Sequence, residues 1–149
     1  MRAIAYAIGT FFGCGYSPVG PGTVGSLAAI LIAIALHNRA ALILLCVVLL
    51  APAIWAAGKV AQYESRKDPQ IVVIDEVVGQ WITLAGASTL NWKSFLAALL
   101  LFRLFDIWKP PPVRQLEGLS GGIGIVADDV MAGLYGALAI FVLDRFRIF

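Results

Sequence analysis

Lys67-Asp68-Pro69-Gln70-Ile71-Val72-Val73-Ile74-Asp75-Glu76-Val77-Val78-Gly79-Gln80-Trp81-Ile82 sets two adjacent carboxylates between two apolar runs. Ionised groups beside hydrocarbon are costly, so they usually pair, bind metal or do chemistry. Asp128-Asp129 repeats the doublet near the C-terminus, and Phe105-Asp106-Ile107-Trp108-Lys109-Pro110 ends another apolar run. Asp68-Pro69 reads as N-cap and first position of a helix extending toward Leu90. That sets Asp75 and Glu76 roughly two turns inside the helix, too deep for simple caps. A second reading stays open: an extended Ile71 to Ile74 with the helix starting at Asp75, where the pair complements the helix dipole.

The surrounding composition explains why these acids stand out. The 149 residues are 60% hydrophobic and only 13% charged, about half the charged share of a soluble domain. Mean hydropathy is +0.89, and apolar runs flank nearly every polar cluster, so the chain reads as an integral membrane protein of one domain, residues 1–149. A net charge of +2 with no basic tract gives no sign of nucleic acid. Cys14 and Cys46 fit no disulfide or metal-ligand spacing. Arg2 followed by Ala3 to Phe12 resembles a signal peptide, with Ala5-Tyr6-Ala7 as a loose cleavage site. That triplet lies at the wrong end of a short run broken by Gly9, so the segment is read as an interfacial or packed helix.

Gly13 to Ser26 carries five glycines and two prolines and is expected to be a loop, with Thr23 as N-cap of an apolar helix to about Leu36. A glycine-rich entrance to a helix suits phosphate, although the Gly-Lys-Ser/Thr ending of a P-loop is absent and a plain packed turn is the simpler reading. Ala40 to Ala57 forms a second run interrupted by Pro52. Asn91-Trp92-Lys93 turns into a helix over Ser94 to Trp108, ended by Pro110-Pro111-Pro112, with Arg103, Asp106 and Lys109 on one face. The last helix spans roughly Ile125 to Phe146, where Asp129, Gly133 and Gly136 share a side that a neighbouring backbone can approach closely. The expected fold is all-α: a compact membrane-embedded bundle of five to six helices, with about four apolar runs crossing or partly crossing the bilayer.

Threading these runs through a bilayer sets the glycine loop, Lys59–Glu76, Arg103–Lys109 and Ser120–Asp129 on one face. His37–Arg39, Asn91–Lys93 and the C-terminus fall on the other. Eight of the nine acids, all but Asp144, then share the first face. Lys59, Arg66, Lys67, Arg103, Lys109 and Arg114 join them, against Arg39, Lys93, Arg145 and Arg147 opposite. This bias turns the acidic face to the cytoplasm.

Acids gathered beside a glycine-rich helix entrance and several cations suit an anionic substrate with a divalent metal, and Mg2+ bridges carboxylates to phosphate. Asp106, near a helix C-terminus, needs Arg103, Lys109 or a metal as partner; a simple Arg103–Asp106 ion pair explains it equally well. The only histidine, His37, falls on the opposite face, which argues against a histidine nucleophile or a serine triad. No Asp-x-Asp-x-Thr sequence offers an aspartyl nucleophile, and Cys14 lacks the arginine of a cysteine phosphatase loop. Water activated by metal, with a carboxylate as base, remains.

Four motifs in order, Ser17-Pro-x-x-Pro-Gly-Thr-x-Gly-Ser-Leu27, Ile71-Val-x-x-Asp-Glu-x-x-Gly79, Phe102-Arg-x-Phe-Asp-x-x-Lys-Pro110 and Gly121-Gly-x-Gly-Ile-x-x-Asp-Asp-x-x-Ala-Gly133, together resemble the phosphatidylglycerophosphatase A proteins. The first dozen residues and the C-terminal tail lie outside the match. The resemblance implies a Mg2+-dependent lipid phosphatase of the bacterial inner membrane, converting phosphatidylglycerophosphate to phosphatidylglycerol, and a compact all-α fold. It assigns no role to each acid. The residues themselves are read as follows: Asp75, Glu76, Asp128 and Asp129 hold Mg2+, and one of them or Asp106 acts as base. Thr23, Gly25 and Ser26, with Arg103 and Lys109, bind the phosphates. The rival reading is a small transporter using the acids as an ion or proton relay; a relay spreads its acids through the membrane depth, whereas these collect near one face.

Overall fold

The computed structural model describes residues 1–146, and every regular element among them is a helix. The order is α1 (Arg2–Gly9), a 3-10 turn (Cys14–Tyr16), α2 (Pro21–Leu36), α3 (Arg39–Glu64), α4 (Ile74–Ala85), α5 (Trp92–Trp108), α6 (Val113–Leu116) and α7 (Gly121–Arg145). The seventh helix, beyond the five to six expected, is α6, a single turn inside the proline-rich loop. Arg147, counted among the cations of the opposite face, lies outside the described residues.

Several boundaries differ from the sequence reading, each for a local reason. Gly20, in the left-handed conformation at φ 54°, caps α2, and Pro21 opens it, since Pro is pre-organised for a first helical position. Thr23 therefore stands inside the first turn rather than capping it. α3 continues through Pro52 and past Ala57 to Glu64. Asp68 caps nothing: α4 begins at Ile74, after a segment anchored by the Val73 N–H, which donates to the Gly9 carbonyl at 2.8 Å. The turn before α5 forms as expected. Asn91 accepts from the Lys93 and Ser94 N–H groups, and the Ser94 hydroxyl receives the Asn91 N–H, a closed capping box.

α4 is the centre of the bundle. It packs on α2, α3, α5 and α7, and nine of its twelve residues are buried. Trp81, 2% exposed, donates its indole N–H to the Ala29 carbonyl of α2 at 2.8 Å, so its polar edge is satisfied within the core. On the opposite side α4 and α7 meet backbone to backbone. A Cβ on Gly79 would lie 2.8 Å from the Asp129 carbonyl, and one on Gly133 would lie 2.6 Å from the Gly79 carbonyl. Only glycine permits this approach. The Thr83 hydroxyl sits 3.0 Å from the Gly79 carbonyl and 3.2 Å from that of Gly133, bridging the two helices.

The long helices alternate in direction, which sorts the polar segments between two ends. Ser88, after α4, donates its N–H to Asp144 near the end of α7, at the end opposite the acids. Among the described residues two helices, α3 with 26 residues and α7 with 25, are long and apolar enough to cross a membrane. In its most apolar window α3 is only 28% buried, which separates it from the core helix of a water-soluble domain. It turns Ile43, Leu44, Val47 and Val48 outward. α4, with twelve residues, rises only about 18 Å and is enclosed by the other helices.

Candidate active site

Asp75 and Glu76 stand in the first turn of α4, not two turns deep. Position alone would make them dipole partners, but neither caps the helix by a side-chain hydrogen bond. Asp75 is 6% exposed, and its Oδ1 and the Oε2 of Glu76 are buried without hydrogen-bond partners. Acids spent on capping would not leave such atoms free.

The Gly79–Gly133 crossing carries Asp129 of α7 to them. Asp75, Glu76 and Asp129 each place a carboxylate oxygen within 4.8 Å of the others. Three carboxylates so close inside protein repel strongly, and buried, unpartnered oxygens need a cation or protons. An all-oxygen, anionic donor set of this kind fits a hard divalent ion.

Asp128 does not join this cluster, contrary to the expectation that both doublets contribute both acids. One residue of helix turns it about 100° away from Asp129. Its Oδ2 accepts from Lys109 Nζ at 2.8 Å, and its Oδ1 accepts the Asp129 N–H at 3.1 Å. Lys109 ends α5 in the left-handed conformation at φ 48° and also reaches Glu117 at 3.1 Å. Burial alone would lower its pKa, but the bonds to Asp128 and Glu117 outweigh this and hold it above the usual lysine range. Nearly two helical turns earlier, Arg103 Nη1 lies 2.7 Å from Asp106 and 3.9 Å from Glu76. These are charge contacts, since Arg103 Nη1 donates no hydrogen bond in this geometry.

These groups face a single pocket of about 400 Å³. Asp75, Glu76, Asp106, Asp128, Asp129, Arg103 and Lys109 all line it, so the structure brings the predicted acids and cations together. The glycine-rich segment contributes as well, but through Pro18, Gly20, Pro21 and Gly22. Thr23, Gly25 and Ser26 do not line it. Thr23 is exposed, Gly25 packs on Val73, and Ser26 is fully enclosed between helices. Starting α2 at Pro21 shifts the helix entrance toward the acids by about one turn relative to the sequence reading. Among the lining residues that escaped that reading, three carry consequences. Asp68 and Gln70 come from the loop before α4, where Asp68 was mistaken for a cap. Partial desolvation raises the Asp68 carboxyl above its ordinary range, with Lys109 opposing. Gly22 is the third: a Cβ there would lie 2.2 Å from Glu76 Oε1 and 3.1 Å from Arg103 Nη1. Its place in Pro-Gly-Thr was visible in sequence, but the acid it faces was not.

Residues 7–144 match the family model described as phosphatidylglycerophosphatase A. The chain belongs to the phosphatidylglycerophosphatase A family, a family of phosphatases. It is 34% identical over 134 residues to a protein of Escherichia coli K12 named phosphatidylglycerophosphatase A, covering 85% of this chain and 75% of the relative. A Haemophilus influenzae protein of the same name is 36% identical over 140 residues, covering 89% and 84%. A Bacteroides thetaiotaomicron protein, named "Putative phosphatidylinositol-3-phosphatase", is 44% identical over 147 residues, covering 91% and 90%. No solved structure matches the chain.

Proposed function

We propose that this family member is a Mg2+-dependent lipid phosphatase that hydrolyses phosphatidylglycerophosphate to phosphatidylglycerol and inorganic phosphate. The observation that carries the reading is the triad of buried Asp75 and Asp129 with half-buried Glu76, where Asp75 and Glu76 each keep an unpartnered oxygen and two cationic side chains line the same pocket. Six carboxylates and only two cationic groups line the pocket. A phosphate dianion enters such a field only if added positive charge offsets it. Asp75, Glu76 and Asp129 would hold Mg2+, which would supply that charge and the Lewis acidity to activate water.

The chain's own residues account for the rest. Arg103, whose Nη1 makes no hydrogen bond of its own, and Lys109 orient the phosphoryl oxygens. Gly22 leaves open the space beside Glu76 and Arg103 that a side chain would fill. Asp106 lines the pocket outside the triad and is assigned as the base. It takes a proton from water as the water oxygen bonds to phosphorus; the bond from phosphorus to the glycerol oxygen breaks, and Asp106 returns that proton to the leaving glycerol oxygen. Asp128 holds Lys109 in place rather than holding metal.

The lipid reading follows from the outer surface. Apolar side chains of α3 face outward, and Trp92 and Trp108, 71% and 63% exposed, mark the two ends of α5, as interfacial anchors do. Acyl chains can remain in the bilayer while the head group enters the acidic end. We place that end at the cytoplasmic side of the bacterial inner membrane, with several helices crossing, from the Lys and Arg bias. Gathering of the acids in one pocket disfavours a relay across the membrane.

The name of the Bacteroides relative favours a second substrate, a phosphoinositide. Phosphate release by purified protein from phosphatidylglycerophosphate and from phosphatidylinositol 3-phosphate, each with and without Mg2+, tests both. The expected result is Mg2+-dependent release from phosphatidylglycerophosphate at the higher kcat/KM. The reverse preference overturns the substrate, and release unaffected by a chelator overturns the metal.

A further inference from the structure

Beyond the acid triad, α2 and α4 each carry buried polar atoms that this chemistry does not use. Gln80 is 0% exposed, and neither its Oε1 nor its Nε2 has a hydrogen-bond partner among the described residues. Ser26 is likewise 0% exposed with an unpartnered Oγ. Each stands one helical turn beyond a site residue. Gln80 follows Glu76 along α4, and Ser26 follows Gly22 along α2. Gly22 abuts the Glu76 carboxylate, so Ser26 and Gln80 each stand one turn deeper than a member of that contact.

A buried amide and hydroxyl without partners are costly, and an apolar side chain of similar volume would avoid the cost. Native interiors satisfy such groups with one another or with internal water. Here the amide donates and accepts, the hydroxyl does both, and the free Oε2 of Glu76 accepts. Together they supply the donors and acceptors that an internal water requires. We propose that Gln80 and Ser26, through internal water, hold the Glu76 carboxylate in the orientation that receives a divalent cation. Both are positioning residues: they touch neither substrate nor reacting atoms. The inference rests on the metal reading of the triad, and it extends that site one turn deeper into the core. Groups that orient a metal ligand from behind are worth about 10- to 100-fold in metal affinity.

The test uses Gln80→Leu and Ser26→Ala in the full chain. Two quantities are read without substrate: the melting temperature without metal, and the Mg2+ concentration at the midpoint of the Mg2+-induced rise in that temperature. Leucine removes the polar atoms at nearly constant volume, so a purely structural role leaves the Mg2+ midpoint where it was. The positioning role raises the midpoint at least about tenfold in both variants, with no fall in the metal-free melting temperature. An unchanged midpoint in Ser26→Ala, which removes a single atom, overturns the inference whether or not Gln80→Leu folds. A raised midpoint accompanied by a lower metal-free melting temperature in both variants also overturns it. If the unmodified protein shows no response to Mg2+, the metal site itself falls, and this inference with it.

Discussion

Asp128 and Asp129 are neighbours in sequence with different surroundings: Asp129 completes the triad, while Asp128 accepts from Lys109 at 2.8 Å. Asp129→Asn and Glu76→Gln keep side-chain size but remove charge, so each is expected to lower turnover at least about 100-fold with the fold intact. Rate measured against Mg2+ concentration discriminates further: excess metal restores part of the rate if these acids only hold the ion. It restores nothing if one of them is the base, because an amide accepts no proton from water. A silent Asp129→Asn would sink the metal site, since Asp129 stands too deep in α7 to be a cap and its charge would then have no task. Asp128→Asn should act mainly on KM, by loosening Lys109. Gly22→Ala offers a second check. Alanine in place of a helical glycine ordinarily stabilises by about 1 kcal/mol, but here the new Cβ meets the Glu76 carboxylate at 2.2 Å. Activity is expected to fall while secondary structure, followed by circular dichroism, is unchanged.

Among the elements, α4 and α7 form the joint on which the site depends. The triad exists because glycines let two backbones touch at Gly79 and Gly133, just below Asp75 and Asp129. Gly133→Ala introduces a Cβ at 2.6 Å from the Gly79 carbonyl, which is backbone and cannot swing aside. The helices must separate, at a cost of about 1–3 kcal/mol as in other overpacked interiors. Denaturant or thermal unfolding measures that loss. Mg2+ affinity should fall with it, because separating α7 from α4 carries Asp129 away from its partners. Retained stability and unaltered Mg2+ affinity would show that the crossing does not set the site.

For the whole molecule, the division into an acidic end and an opposite end yields a topological forecast. With Cys14 and Cys46 replaced by alanine, single cysteines at Lys67 and Lys93 report on the two ends, both being exposed positions. A membrane-impermeant maleimide is expected to label Lys93→Cys in intact cells and Lys67→Cys only in inside-out vesicles, as the positive charge bias requires. The reverse pattern would place the active face outside. His37 joins α2 to α3 at the end away from the acids, so His37→Ala should keep near-normal turnover. A severe loss with intact folding would contradict both topology and mechanism.

How much was legible in the chain follows from the range of the forces involved. Apolar runs broken by Gly, Pro and Asn announce helices, because burial and backbone sterics act locally; Asn91 and Pro110-Pro111-Pro112 bound α5 much as read. The scarcity of charge made Asp75, Glu76, Asp106 and Asp129 conspicuous, and their service to one pocket was foreseeable from their shared end of the bundle. The start of α4 was not, because it hangs on the Val73 N–H meeting the Gly9 carbonyl, a contact sixty-four positions apart in the chain. The same applies to the parting of Asp128 from Asp129 and to the entry of Gly22, Asp68 and Gln70 into the site. Sequence by itself determined which residues carry charge and which segments are helical. Only tertiary packing decided which oxygens face one another, because that depends on how closely α2, α4, α5 and α7 approach.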